Sequence, residues 1–135
     1  MSAPTLCGGI DHVHVYVPDR DAAAAWYAEH LGLTVAPDFA CWADDPRGPL
    51  TLRDAADRIH LAVFARAELA PVSLAFAASA AEYLAWREYL CGKDLGLREA
   101  DHTLSRSLYF ADPWRNQWEI TCYAVAALGR YPVIE

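Results

Sequence analysis

The chain has 135 residues, of which 55% are hydrophobic and 21% charged, and its net charge is −7. That length holds one domain with a real core, not two independent ones, and the composition excludes a disordered chain. No run of Lys or Arg is present to neutralise successive phosphates, so the acidic balance excludes nucleic acid and leaves a neutral or cationic small molecule as partner.

The N-terminal MSAPTLCGG has neither the basic residues nor the apolar run of a signal peptide, and no stretch approaches a membrane span, so a cytoplasmic protein without a membrane partner is expected. The four cysteines, Cys7, Cys41, Cys91 and Cys122, are scattered without a C-x-x-C pair. They read as reduced, buried, inert thiols rather than a zinc knuckle or disulfide framework.

Val13, Val15 and Val17 alternate with His12, His14 and Tyr16, the period-2 pattern of a strand with one apolar face and one polar, aromatic face. Pro18 and Asp19 close it. Asp19 or Asp21 can cap a helix over 22–31, whose AAAAWYAEHL composition is strongly helix-forming, and Gly32 can end it. Short apolar runs near 39–43, 49–53 and 58–64, broken by Asp44, Asp45, Pro46, Gly48 and the 54–57 cluster, predict a three-strand meander.

The second half repeats this order. VSLAFA at 72–77 alternates as a strand, 79–91 reads as a helix opened by a Ser79/Glu82 capping box, and strands near 98–101, 105–111 and 117–123 follow. LGL at 31–33 recurs at 95–97, and Ser73 stands where His12 stands in the first half. The chain therefore reads as α+β, two βαβββ modules at about 9–66 and 71–124 with a tail over 125–135. Each module is too small to stand alone and must pack on the other or on a partner chain.

His12-x4-Val17-x-Asp19 leading to Trp26-Tyr27-x3-Leu31-Gly32-Leu33, and Ser107-Leu108-Tyr109-Phe110-x-Asp112-Pro113-x2-Asn116-x2-Glu119, resemble the vicinal oxygen chelate superfamily of glyoxalase I, extradiol dioxygenases, fosfomycin-modifying enzymes and bleomycin-resistance proteins. The resemblance covers roughly residues 9–124. It implies a cup-shaped mixed sheet with helices on its outer face, a divalent metal (Fe(II), Mn(II), Ni(II) or Zn(II)) inside, and a homodimer. Residue by residue it implies metal ligands at His12, His60 and Glu119. Ser73 departs from the pattern, standing where most metal-dependent members have a second histidine.

Strand alternation gives an independent check. Ile59 and Leu61, Trp118 and Ile120, and Val72 and Leu74 are apolar neighbours that leave His60, Glu119 and Ser73 on the opposite faces. Two imidazoles and a carboxylate are the set used by non-haem iron and by Lewis-acid metal sites. His14 shares the face of His12, but residues at i and i+2 on a strand are roughly 6.5–7 Å apart. A hydrogen-bonded wall of the cup, a substrate contact or an acid/base group is the expectation for it rather than a second ligand, with Tyr16 the other candidate for proton transfer. Ser107, Tyr109, Thr121 and Tyr123 fall on predicted inward faces with Ser73 and are candidate substrate contacts. Arg106 falls on the helix side, and His30 and His102 read as surface residues.

Two functions follow from the resemblance. One is a metal-dependent glyoxalase- or dioxygenase-type enzyme whose small substrate chelates the metal through adjacent oxygens. The alternative is a metal-free small-molecule binding protein of the bleomycin-resistance type. The tail over 125–135 caps the cup or covers a neighbouring chain.

Overall fold

The computed structural model describes residues 1–6 and 8–135, so Cys7 lies outside the described residues. Two units divide the chain, 1–70 and 71–135, and each contains one mixed sheet. The first holds β1 (Val13–Val17), α1 (Arg20–Leu31), β2 (Thr34–Val35), a 3-10 helix (Pro37–Asp44), β3 (Leu50–Arg53) and β4 (His60–Ala65). The second holds β5 (Ser73–Ala77), α2 (Ala80–Cys91), β6 (Arg98–Asp101), β7 (Arg106–Ala111), β8 (Gln117–Cys122) and the short α3 (Val125–Leu128). Both units are βαβββ, as the repeat predicts.

Strand order is β1-β4-β3-β2 in the first sheet and β5-β8-β7-β6 in the second. In each, the first strand pairs in parallel with the last, and the other pairs are antiparallel. Val15, Val17, Leu61 and Val63 have no exposed surface, so one face of the β1–β4 pair is core. In the second unit Leu108, Trp118 and Cys122 are likewise fully buried. Enclosing a side chain of Val or Leu size contributes about 1.5–3 kcal/mol. That term fixes register, because a slip of one residue would turn this apolar set outward.

Local signals place the helices. The Asp19 carboxylate accepts from the backbone N–H groups of Asp21 and Ala22, satisfying the first turn of α1. Gly32, at φ 66°, ends it in the left-handed region. Ala23, Tyr27, His30 and Leu31 form its buried stripe. His30 is thus not a surface residue: its Nδ1–H donates to the Trp26 carbonyl at 2.9 Å and its ring stacks on Trp26. At α2 the Ser79/Glu82 capping box forms reciprocally.

The predicted strand over 39–43 is instead the 3-10 helix, and the strand at that point of the first unit is the shorter Thr34–Val35. Pro37 starts the helix, and Phe39 and Trp42, three residues apart, stack on one face at 4.8 Å. The Arg20 guanidinium holds the following turn by donating to the carbonyls of Ala43, Asp45 and Gly48. A Cβ on Gly48 would fall 2.1 Å from the Trp42 carbonyl oxygen, so only glycine fits there. Cys41, in this segment, and Cys91 are exposed, contrary to the reading of buried thiols; Cys122 is buried.

The second unit is organised around two buried carboxylates. Asp112 accepts from the backbone N–H of Trp114 and Asn116, the Asn116 side-chain amide N–H and the Trp118 indole, and the Asn116 side-chain Oδ1 in turn accepts from Val72 N–H. This bracket ties the β7–β8 turn to the entry of β5. Arg115, within it, sits at φ 68°. Glu99 accepts from Tyr83, Tyr131, the Arg87 guanidinium and the Ile134 backbone N–H. The tail therefore lies against its own unit, with Pro132 and Ile134 carbonyls accepting from Arg87 and from Glu99 N–H.

Replacing Arg115 by Gly relieves left-handed strain of about 1–2 kcal/mol, only partly offset by the freer unfolded chain, so the variant should unfold at higher urea. Asp112→Ala leaves buried donors without an acceptor and should cost about 3 kcal/mol in the same measurement. Burial raises the Glu99 pKa, but the hydrogen bonds from Arg87, Tyr83, Tyr131 and Ile134 outweigh it and hold the carboxyl below the usual range. Its stabilising effect is therefore present above the unfolded pKa and lost as pH falls through the folded one. Glu99→Gln should flatten the acid limb of stability against pH below the ordinary carboxylate range.

Candidate functional site

Because the valines of β1 face the core, His14 and Tyr16 stand on the other face of the sheet, with His12 just before the strand. In the neighbouring strand β4, His14 is registered with Ala62 and Tyr16 with Phe64. His14 and Tyr16 pack on the Phe64 ring at 4.8 and 5.9 Å, and the Arg66 guanidinium lies 3.9 Å from the centre of the Tyr16 ring. The 3-10 helix supplies Phe39 and Trp42 to the same cleft of about 280 Å³, which Thr51 and His60 also line. Thr51 is buried and its hydroxyl oxygen has no hydrogen-bond partner.

His12 Nε2 and His14 Nε2 are 3.0 Å apart, and His12 Nδ1 is 2.7 Å from Asp11 Oδ2. Strand spacing predicts a wider separation for two such residues. The rings instead lean together and stack with centroids at 5.0 Å, since strand geometry fixes Cα spacing and not ring tips. The tautomers follow from the partners. A carboxylate only accepts, so His12 carries its proton on Nδ1 and its Nε2 accepts from His14 Nε2–H. The His14 Nδ1 lone pair then faces the Tyr16 hydroxyl at a long 3.5 Å.

His60 is placed differently. Its Nε2–H donates to Asp57 Oδ1 at 2.7 Å, and that bond, with the nearby Arg53 charge adding to it, holds the Asp57 carboxyl below its ordinary pKa. The Phe39 ring meets the His60 ring edge-on at 6.0 Å. Among the described residues, no group of three or more His, Cys, Asp or Glu side chains stands close enough to hold a metal ion.

In the second unit, Ser107, Tyr109, Glu119 and Thr121 share the face of the β7–β8 pair opposite Trp118 and Ile120. The Tyr109 hydroxyl donates to Glu119 Oε1 at 3.1 Å and accepts from His102 Nε2–H at 2.8 Å. Ser107 Oγ donates to Thr121 Oγ1 at 3.0 Å. Burial raises the Tyr109 pKa; the Ser107 hydroxyl opposes this and the Glu119 carboxylate adds to it. Arg98 lies 4.7 Å from the Tyr109 ring centre. Ser73 is exposed and registered with Gln117, so the neighbour of Glu119 on β5 is Ala75. Tyr123, just past β8, is 75% exposed.

Sequence reasoning missed Asp11, Thr51, Phe39, Trp42 and His102. Adjacency to His12 is a usable signal for Asp11, and the three-residue spacing of Phe39 and Trp42 for the helix. Nothing in the sequence links Thr51, on β3, to the cleft or His102, in the β6–β7 connection, to Tyr109, because each is placed by strand pairing rather than by local spacing.

Comparison with known proteins bears on the whole chain. Residues 9–120 match the family model of the Glyoxalase/Bleomycin resistance protein/Dioxygenase superfamily. No curated protein is a significant match. Among solved structures, an integron cassette protein from the mobile metagenome of Halifax Harbour Sewage Outfall superposes with TM-score 0.72 at 20% identity, covering 85% of this chain and 98% of that one. A glyoxalase/dioxygenase from Nostoc punctiforme gives 0.69 at 19%, covering 91% and 96%, and lactoylglutathione lyase from Agrobacterium tumefaciens gives 0.66 at 20%, covering 90% and 98%. At such identities the likeness is one of fold. The family match over most of the chain, on the same paired βαβββ framework, establishes that this protein belongs to the glyoxalase/bleomycin resistance protein/dioxygenase superfamily.

Proposed function

We propose that this protein is a metal-dependent enzyme of the glyoxalase or dioxygenase type, acting on a small substrate that chelates a divalent metal (Fe(II), Mn(II), Ni(II) or Zn(II)) through adjacent oxygens. The observation that carries the reading is the His12 imidazole, which lines the cleft with Asp11 on its Nδ1 and His14 3.0 Å from its Nε2. An outer carboxylate on Nδ1 is the arrangement that orients and strengthens a ligating imidazole. The donors this reading needs are nitrogens of His12 and His60 and the carboxylate of Glu119, the last from this chain or from a second copy, and two imidazoles with a carboxylate suit any of these ions. Bound there, a divalent ion would polarise the substrate oxygens and, if redox-active, support oxygen chemistry.

The chain's own residues do the rest. With His12 Nε2 engaged, His14 Nε2 is left 3.0 Å from a ligating atom, within reach of a substrate hydroxyl bound beside it. His14 takes up or returns that proton at Nε2. The Tyr16 hydroxyl, both donor and acceptor, serves either tautomer through Nδ1. Phe39, Trp42 and Phe64 exclude water and hold an apolar or aromatic body, and the Thr51 hydroxyl offers a polar contact.

Metal content decides between this and a second reading. Protein purified without an affinity tag should carry about one transition metal per chain, lost in His12→Ala and in Glu119→Ala with the fold intact by circular dichroism. His14→Gln should keep the metal while lowering kcat on vicinal diols or hydroxyketones by about 10²–10⁴-fold. Failure of the native protein to take up Fe(II), Mn(II), Ni(II) or Zn(II) would overturn the enzyme reading. Ser73, exposed where a ligating histidine would stand, favours the alternative, a metal-free binding protein of the bleomycin-resistance type. Calorimetric titration of the metal-free protein with cationic glycopeptides and aromatic compounds tests it.

A further inference from the structure

Arg106 opens β7 on the face turned away from Ser107 and Tyr109, and it is buried, with 6% of its surface exposed. A buried guanidinium remains charged at any relevant pH and needs its donors satisfied. Only Nη2 is used, donating to the Tyr131 carbonyl at 3.3 Å, while Nε and Nη1 are buried without a hydrogen-bond partner. The carboxylates nearby do not supply one. Glu99 is taken up by Tyr83, Tyr131, Arg87 and Ile134 N–H. Asp101 Oδ2 stands 3.7 Å from Arg106 Nε, beyond hydrogen-bond range, and its other oxygen accepts from Thr103 N–H.

Arg87 makes the contrast plain. It lies 4.5 Å from the centre of the Tyr131 ring, as Arg106 does at 4.3 Å, yet it donates to Glu99 and to the Pro132 carbonyl. Beside Arg106 lies a cavity of about 500 Å³, lined by Asp101, Arg106, Val125, Ala126, Arg130 and Tyr131 among others. Two cations against one carboxylate give that lining a net positive charge on a chain whose total is −7. The site lies wholly within the second unit and involves none of the residues of the proposed reaction.

We propose that this cavity binds a small organic monocarboxylate. Its head group takes the Nε–H of Arg106, on the guanidinium edge shared with Nη2, in place of Asp101, which is half exposed and swings outward. Arg130 closes over the charge, and the apolar body of the ligand rests on Val125, Ala126 and the Tyr131 ring. The single net positive charge of the lining matches a monoanion better than a phosphate dianion, and the apolar residues select against inorganic ions.

The test is calorimetric titration of the full chain with benzoate, isobutyrate and inorganic phosphate, in a buffer without carboxylates. Benzoate or isobutyrate should bind with Kd of about 1 mM or tighter, and phosphate more weakly. Asp101→Asn removes the competing carboxylate and should tighten binding about tenfold, an effect that a purely structural Arg106–Asp101 pair would not give. Arg130→Ala, at an exposed position, should weaken it several-fold, and Arg106→Met should abolish it. His12→Ala should leave it unchanged, separating this site from the proposed metal site. The proposal is overturned if neither carboxylate binds the native chain, or if Asp101→Asn fails to tighten binding; both hold whether or not Arg106→Met folds.

Discussion

Burial of Val15 and Val17 against the core, beside Leu61 and Val63 of the parallel partner strand, is the constraint on which the first unit depends. The side-chain period of a strand is two, so once those four are inside, His12, His14, Tyr16, His60 and Phe64 have no freedom of side. The hydrophobic term thus aims the polar residues. What it does not fix is how far ring tips on one face lie from each other, and that distance decides the chemistry. In this protein the rings of His12 and His14 converge, with Asp11 behind them setting the direction of every proton in the row.

The second unit uses the same pairing to a different end. Its β5 carries Ser73, Ala75 and Ala77 where β1 has imidazoles and a phenol, and its polar groups gather on β7 and β8. Glu119 is satisfied by the Tyr109 phenol, which is itself braced by His102. A carboxylate on that face would be costly to bury unpaired, and a tyrosine meets the need at lower desolvation cost than a second charge. Twin backbones therefore carry unlike surfaces, which is how one superfamily framework hosts unrelated chemistries.

Buried charge is handled in two ways in the second unit. Asp112 and Glu99 are each surrounded by donors, and they stitch a turn to a strand and a tail to a helix. These brackets replace some of the apolar core that so short a unit lacks. Arg106 is the exception, since two of its nitrogens lie beside a cavity without a hydrogen-bond partner, the Asp101 carboxylate standing 3.7 Å off. In a unit whose buried carboxylates are so fully hydrogen-bonded, an incompletely hydrogen-bonded guanidinium marks the place where an external acceptor would fit.

The sequence by itself determined the paired βαβββ order, both long helices, the Ser79 capping box and the faces of the residues within β1, β4, β7 and β8, because these depend on periodicity and on contacts within a few residues; it left the first cap open between Asp19 and Asp21 and carried β8 one residue too far, to the exposed Tyr123. It placed 39–43 in a strand because an apolar run of that length carries no period that separates a strand from a 3-10 turn. The tie from Arg20 to three carbonyls on the following turn, which settles it, spans more than twenty residues. His30 was misread for a like reason: its acceptor is a backbone carbonyl, which every sequence position offers. Only the tertiary structure decided that His12 and His14 meet at 3.0 Å, that His60 turns to Asp57, that Tyr109 holds Glu119 and that the tail locks onto Glu99. Each of these depends on side-chain torsions and on strand neighbours distant in the chain, and neither is encoded in residue spacing.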